Sequence, residues 1–215
     1  MTVRIASIQV GRIAPLGPDR VASAFIKSAV SGPIKAGALG LDGDDQADLS
    51  VHGGPEKAVY AYASTRYPDW AVAFPDLAPR FVAGAMGENL TIDGMDENDL
   101  CVGDVHAIGG ALLQVCQPRQ PCFKLALALG EPRLGKHMVR TGHSGWYYRV
   151  LREGSIAPGD EIVLADRPNP GFGFPRLVTI VNRGGATAPE LQDLAVMPGL
   201  ASNIGRRVRE ALAAA

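Results

Sequence analysis

Short runs of alternating apolar and polar residues dominate the first 165 positions of the chain. The chain contains 26 glycines and 16 prolines, and those in this part cut it into short pieces, which favours strands and tight turns. The runs that we expect to be extended are residues 3–10, 24–30, 57–63, 88–93, 104–108, 111–116, 146–152 and 161–165. Eight such runs predict a mainly β fold, an antiparallel barrel or sandwich.

Helical periodicity is rare in this part of the chain and common near its C-terminal end. It occurs between the extended runs only at residues 64–73, 122–129 and 132–141. Beyond a Pro/Gly-rich passage at 165–176, three short amphipathic segments predict helices at 177–183, 189–196 and 200–214. We therefore predict a β-barrel domain over 1–168 with short peripheral helices, and a three-helix domain over 176–215. Because about forty residues rarely hold a core alone, these helices should pack on the barrel or a partner.

Composition and charge narrow the range of partners. The net charge of −1 provides no basic surface for a nucleic-acid backbone, so we expect no nucleic-acid partner. No 18 apolar residues run together and no signal-peptide pattern opens the chain, so we expect no membrane segment and a cytoplasmic location. Three cysteines are too few for a disulfide framework. Exposed strand edges would allow a homodimer.

Cys122, in the stretch QPRQPCFKL (117–125), is the first candidate for chemistry. A proline precedes a run with helical periodicity, which places Cys122 at a helix start with Arg119 and Lys124 within three residues. A thiol in such surroundings has a lowered pKa, and its thiolate is a soft metal ligand. The alternative is an inert thiol in the core, because free cysteine is among the most buried residue types. Cys116, which ends an apolar run, is expected in the core.

The stretch HGGPEK (52–57) is the second candidate. After His52, the backbones of Gly53 and Gly54 can approach a ligand closely and expose N–H groups, and Lys57 comes three positions later. These groups would bind an anion. The alternative is a Gly-Gly-Pro turn with a solvated lysine.

The stretch GENL (87–90) is the third candidate. At a strand start, Glu88 and Asn89 could present a carboxylate and an amide at the mouth of a barrel, where they would orient a heterocycle. A simple turn with a solvated glutamate explains the same residues equally well.

These motifs and several others succeed one another in a specific order. They are DDQAD (44–48), HGGPEKAV (52–59), GENL (87–90), VGD (102–104), QPRQPCFKL (117–125), GWYYRVL (145–151), PGD (158–160) and, in the helical tail, LAVMPGLA (194–201). The series resembles the MOSC family, the domain named after the C-terminal part of molybdenum cofactor sulfurases, in its YiiM-type branch. The resemblance covers most of the chain.

The resemblance implies a β-barrel-like fold that binds a mononuclear molybdenum cofactor, a pterin dithiolene with a terminal phosphate. The metal would be held by Cys122, the catalytic residue. The other residues that would contact the cofactor or the thiolate are His52, Gly53, Gly54, Lys57, Glu88, Asn89, Arg119 and Lys124.

The resemblance also implies an activity, the reduction of N-hydroxylated compounds such as 6-hydroxylaminopurine to amines. Because three cysteines cannot hold an iron–sulfur cluster of four thiolates and no dinucleotide fingerprint is present, the electrons would come from a separate flavin or iron–sulfur protein. Two alternatives stay open: a sulfur carrier with a persulfide on Cys122, and a protein that only binds or carries the cofactor.

Overall fold

The computed structural model describes residues 2–48 and 53–214. The strands of this part are β1 (Arg4–Val10), β2 (Ala14–Leu16), β3 (Val21–Ser23), β4 (Ser28–Ala29), β5 (Ile34–Gly37), β6 (Gly40–Leu41), β7 (Val59–Ala63), β8 (Leu90–Asp93), β9 (Val105–Ile108), β10 (Ala111–Pro118), β11 (Trp146–Arg152), β12 (Gly154–Ile156) and β13 (Ile162–Asp166). The α-helices are α1 (Tyr67–Ala73), α2 (Phe123–Leu129), α3 (Leu134–Thr141), α4 (Phe174–Arg183), α5 (Ala188–Val196) and α6 (Ser202–Ala213). Short 3₁₀ turns lie at Pro55–Lys57, Ser64–Arg66, Pro75–Arg80 and Glu97–Asp99.

An eight-stranded sheet forms the centre of the molecule. Its order is β13-β9-β10-β11-β7-β8-β1-β4. Neighbouring strands run antiparallel except β7 and β8, which are parallel because α1 and the turns after it carry the chain back to the starting edge. Two smaller sheets, β12-β5-β6 and β2-β3, lie beside it.

The predicted barrel is wrong in one respect, because the sheet does not close. It curls until β1 meets the segment before β13, where the Ile5 N–H donates to the Asp160 carbonyl at 2.9 Å. Among the described residues only one bridge pair forms there, Arg4 with Glu161. The Gly159 N–H also donates to the Ile5 carbonyl at 2.8 Å, and the Ile162 N–H donates to the Val3 carbonyl at 2.9 Å, so the two edges touch without forming a continuous strand ladder. The fold is therefore a curled, open sheet.

Alternating side chains of β7 face two different cores. Val59 and Ala61 belong to the larger apolar core, whereas Tyr60 and Tyr62 belong to an aromatic one formed with α1, α2 and α3. This division results from the two-residue period of a strand, since successive side chains point to opposite faces. Trp70 of α1 lies at the centre of the aromatic core and is fully buried.

The three predicted C-terminal helices are present, and they pack on the sheet. Phe174 of α4, Leu194 of α5 and Ile204 of α6 share the larger core with strand residues such as Val115. Each buried side chain of this size stabilises the fold by roughly 1.5–3 kcal/mol. The division into two domains, 1–168 and 176–215, stays a prediction. No helix within the described ranges is both long and apolar enough to cross a membrane.

The run at 24–30 departs from its prediction. Only Ser28–Ala29 of it is a strand, and residues 24–27 belong to no strand. Ala24, Phe25 and Lys27 instead line a cavity.

Candidate functional site

A cavity of about 610 Å³, its mouth included, lies where several of the candidate motifs meet. Its walls are formed by some of the residues in each of the segments 23–27, 44–47, 53–57, 87–89 and 119–124, together with Tyr60 of β7 and Tyr147 of β11. Tyr60 and Tyr147 are register partners on these neighbouring strands, and their rings lie 5.2 Å apart between centres. The sheet thus sets the position of one wall.

Cys122 lines this cavity at the start of α2. It is the N-cap residue of the helix, with extended backbone (φ −122°, ψ 163°), and it is partly exposed. Cys116, six residues earlier on β10, is fully buried and its thiol donates to the carbonyl of Glu56 at 3.1 Å. Burial raises the pKa of Cys116 to about 12, so its thiol stays protonated. Cys116 therefore lies in the core, as predicted, whereas Cys122 lies at the cavity.

Arg119 is the buried cation of the cavity wall, with 5% of its surface exposed. Its guanidinium carbon lies 4.9 Å from the Tyr60 ring centre and 5.4 Å from that of Phe25, and Nη1 donates to the carbonyl of Met86. Burial by itself would lower the pKa of Arg119, but Tyr60, a second tyrosine and Cys122 favour the charged form and hold it above the ordinary value. Ring stacking and a backbone carbonyl thus fix this charge in place.

A buried ion pair joins two segments that are distant in sequence. The side chains of Lys27 and Asp44 are 6% and 5% exposed, and the ammonium donates to Asp44 Oδ1. Asp44 also accepts hydrogen bonds from the Gly11 N–H at 2.7 Å and from Asn89 Nδ2 at 2.8 Å, while Asn89 Oδ1 accepts from the Tyr60 N–H at 3.1 Å. Burial lowers the pKa of Lys27, and Asp44 opposes that shift. Asn89 therefore belongs to a connected polar network on the cavity wall.

Only some residues of the predicted anion-binding motif, HGGPEK (52–57), line the cavity. Gly53 and Lys57 line the cavity, whereas Gly54 does not. Both glycines have positive φ, +148° and +83°, so they allow a backbone path that other residues rarely adopt. Burial lowers the pKa of Lys57. His52 lies outside the described residues, and Lys124 reaches the cavity from α2.

Glu88 does not line the cavity, although its neighbour Asn89 does. It is completely buried, and its carboxylate accepts hydrogen bonds from the Gly84 N–H at 2.7 Å, the Met86 N–H at 3.0 Å and Thr91 Oγ1 at 3.1 Å. The hydroxyl of Tyr67 also donates to it. Glu88 thus holds the turn behind the wall.

The charges of the described lining residues favour an anionic ligand. Four side chains are cationic and two are carboxylates: Lys27, Lys57, Arg119 and Lys124 against Asp44 and Asp45. Asp44 is bound by Lys27, and Asp45 accepts from Arg12 at 3.1 Å outside the lining. Because a thiol is a soft metal ligand, Cys122 beside these cations suits an anionic group that carries a soft metal.

Sequence reasoning missed Lys27, Asp44, Tyr60 and Tyr147 as site residues. The alternation places Lys27 in a strand, although a single charge within the apolar run AFIKSAV is a signal of a special position. The same pattern correctly places both tyrosines in strands, but a sequence does not show which strands are neighbours. Their shared wall depends on the β7–β11 pairing.

A protein-family model, the MOSC domain, matches residues 48–163, more than half of the chain. The chain belongs to the MOSC domain family. The matched residues include Lys57, Asn89, Arg119 and Cys122, so the family match contains much of the cavity.

Relatives place this MOSC protein in the YiiM-type branch. Protein YiiM of Escherichia coli is 41% identical over 150 residues, which are 70% of this chain and 67% of that protein. The crystal structure of YiiM from Geobacillus stearothermophilus has 34% identity and a TM-score of 0.80, covering 97% of this chain and 98% of that one. That of YiiM from Escherichia coli has 28% identity and a TM-score of 0.78, covering 95% and 94%.

A fungal relative is much longer than this MOSC protein. A protein of Gibberella moniliformis named reductase is 41% identical over 169 residues, 77% of this chain. The aligned residues span only 30% of that relative's length.

Proposed function

We propose that this MOSC protein binds the molybdenum cofactor in the cavity, with Cys122 as the protein ligand of the metal. The observation that carries the proposal is the position of the Cys122 side chain on a cavity with four cationic side chains. A thiolate suits a soft or thiophilic metal, and the cations suit the phosphate and the other negative charge of a pterin dithiolene. The donor set of the cavity therefore fits the group that the family name suggests.

The cavity residues would have different roles in binding the cofactor. Arg119 has a fixed, stacked guanidinium, whose two-pronged geometry suits a phosphate, while Lys57 and Lys124 act as point charges. The polar atoms of Asn89 are already hydrogen-bonded within the chain, so it would shape the wall. Glu88 would act from behind that wall, and the proposed role of His52 stays a prediction.

The proposed reaction is the reduction of N-hydroxylated compounds to amines. The substrate N–OH group takes up two electrons and two protons, the N–O bond breaks, and the products are an amine and water. When bound, the molybdenum cofactor supplies the two-electron chemistry at the N–OH group. A flavin or iron–sulfur protein would donate the electrons, and the fungal relative named reductase supports a redox role.

Turnover tests this proposal directly. The protein is purified from a host that makes the cofactor and is incubated with 6-hydroxylaminopurine and a chemical reductant, and the amine is quantified. We expect multiple turnovers per bound molybdenum. Bound cofactor without amine formation would instead indicate a cofactor carrier, and a mass increase of one sulfur atom on Cys122 would indicate a sulfur carrier.

A further inference from the structure

Glu56 joins the cavity wall to the start of the last helix. Its carboxylate accepts hydrogen bonds from the Ser202 N–H at 2.9 Å and from Ser202 Oγ at 2.8 Å, across 146 positions of sequence. The same carboxylate accepts from Arg149 Nη2 at 2.6 Å. Ser202 is the first residue of α6, so the helix begins on this contact.

The backbone of Glu56 is held as well as its side chain. Its carbonyl accepts from Gln117 Nε2 at 2.9 Å and from the Cys116 thiol at 3.1 Å, both on β10. The chain before α6 binds the same strand, because the Ala201 N–H donates to the Cys116 carbonyl at 3.0 Å. Strand, helix and Glu56 thus form one connected unit.

The segment that Glu56 anchors lines the cavity. Gly53 and Lys57 are lining residues on either side of it, and both glycines at 53 and 54 have positive φ. Glycine has the greatest conformational freedom in the unfolded or loosened chain, so such a segment loses much entropy when it is ordered. Contacts from outside the segment are needed to hold it in one conformation.

We propose that α6 is a structural part of the cavity, and that Glu56 is the positioning residue through which Ser202 and Arg149 fix residues 53–57. In this view α6 contributes to the cavity itself. The link to cofactor retention rests on the proposed function, but the fixing of the segment does not.

A second carboxylate in the same chain provides a matched control. Glu190 accepts from the Thr187 N–H at 2.7 Å, from Thr187 Oγ1 at 2.9 Å and from Arg176 Nη2 at 2.7 Å. It therefore repeats the contacts of Glu56, but it joins α4 to α5 and none of these residues lines the cavity. If Glu56 only stabilised the fold as a whole, its replacement would affect amide exchange at residues 53–58 no more than replacement of Glu190.

Ser202→Pro is the decisive variant. Proline lacks the N–H and the hydroxyl that bind Glu56, yet it suits the first position of a helix. Ala201 has φ −63° and ψ 137°, the extended conformation that a residue before proline prefers. The substitution therefore removes the contact and leaves α6 intact. Ser202→Thr keeps both donors and serves as the rescue variant.

Amide hydrogen exchange of the full-length protein tests the proposal. We expect Ser202→Pro and Glu56→Gln to speed exchange at residues 53–58 on the order of tenfold, the effect of losing a charge-assisted hydrogen bond, with Ser202→Thr unchanged. Glu190→Gln should leave these amides at the wild-type rate. Wild-type exchange at 53–58 in Ser202→Pro, or the same increase in Glu190→Gln, would overturn the proposal.

Molybdenum retention during dialysis separates this inference from the proposed function. Faster metal loss from Ser202→Pro than from Glu190→Gln supports both. If the wild-type protein holds no molybdenum while Ser202→Pro loosens residues 53–58, the positioning role is supported and the proposed function is contradicted.

Discussion

The guanidinium carbon of Arg119 lies 4.9 Å from the centre of the Tyr60 ring. Tyr60 belongs to a central strand and to the aromatic core, so the sheet determines where this cation lies. Cys122 is three residues further along the chain and lines the same cavity. A fixed positive charge near the thiol that we propose as the metal ligand is the relationship on which the proposed function depends.

Arg119→Lys should therefore destabilise the fold and weaken retention of the cofactor, although it keeps the charge. Lysine has no planar group to stack on the Tyr60 ring and cannot present two parallel N–H groups to a phosphate, because its ammonium is a point charge. We expect the free energy of unfolding to fall by about 1–2 kcal/mol, with weaker retention of the cofactor. Urea denaturation and molybdenum content after dialysis measure the two effects.

Arg133 provides the control for this substitution. Its guanidinium lies 5.5 Å from the Phe74 ring centre, but its side chain is 74% exposed and it does not line the cavity. Arg133→Lys should change the free energy of unfolding much less than Arg119→Lys does. Equal effects of the two substitutions would contradict a special role for Arg119.

Removal of one member of the buried Lys27–Asp44 pair should strongly destabilise the fold. Lys27→Met leaves a buried carboxylate without its cation, which typically costs about 3–5 kcal/mol, whereas Lys27→Arg keeps the charge and should cost less. The exposed pair of Lys35 and Glu153, 55% and 48% exposed, is the control. Lys35→Met should lower the free energy of unfolding much less, because an exposed ion pair contributes little. Chemical denaturation checks both values, and similar losses would count against the buried pair.

Buried His106 predicts a loss of stability in acid. Burial lowers the pKa of His106 from 6.5 to about 4, and its ring Nδ1 lies 2.7 Å from the Tyr148 hydroxyl. Between these two pH values the unfolded chain binds a proton that the folded protein does not, so stability falls as the pH falls. The loss is on the order of 3 kcal/mol by pH 4.

Denaturation curves between pH 4 and pH 7 check this prediction. His106→Gln has no imidazole to protonate, so its stability should depend less steeply on pH across this range. Parallel pH profiles for the wild type and the variant would show that another group causes the loss.

Local patterns predicted most elements of the fold, because strand alternation and helix periodicity are properties of neighbouring residues. Thus β1, β10, β11 and the C-terminal helices lie close to their predicted ranges. The prediction for 24–30 failed because Lys27 pairs with Asp44, which lies in another loop. That pairing is a tertiary contact, which alternation cannot indicate.

The candidate site could likewise be predicted from the sequence only in part. Motif order led to Cys122, Arg119, Lys57 and Lys124, and the structure brings all four to one cavity. Adjacent residues of an extended segment face opposite sides, but the order of the motifs does not show which of Glu88 and Asn89 faces the cavity. Nor could it indicate the wall formed by two tyrosines on paired strands.

The molybdenum content of three purified proteins tests the central claim most directly: the wild type, Cys122→Ala and Cys101→Ala, each made in a host that produces the cofactor. Cys101 is a buried thiol that does not line the cavity, so its variant controls for the loss of a cysteine. We predict equal molybdenum in the wild type and Cys101→Ala, and little in Cys122→Ala. A full molybdenum content in Cys122→Ala would contradict the assignment of Cys122 as the metal ligand.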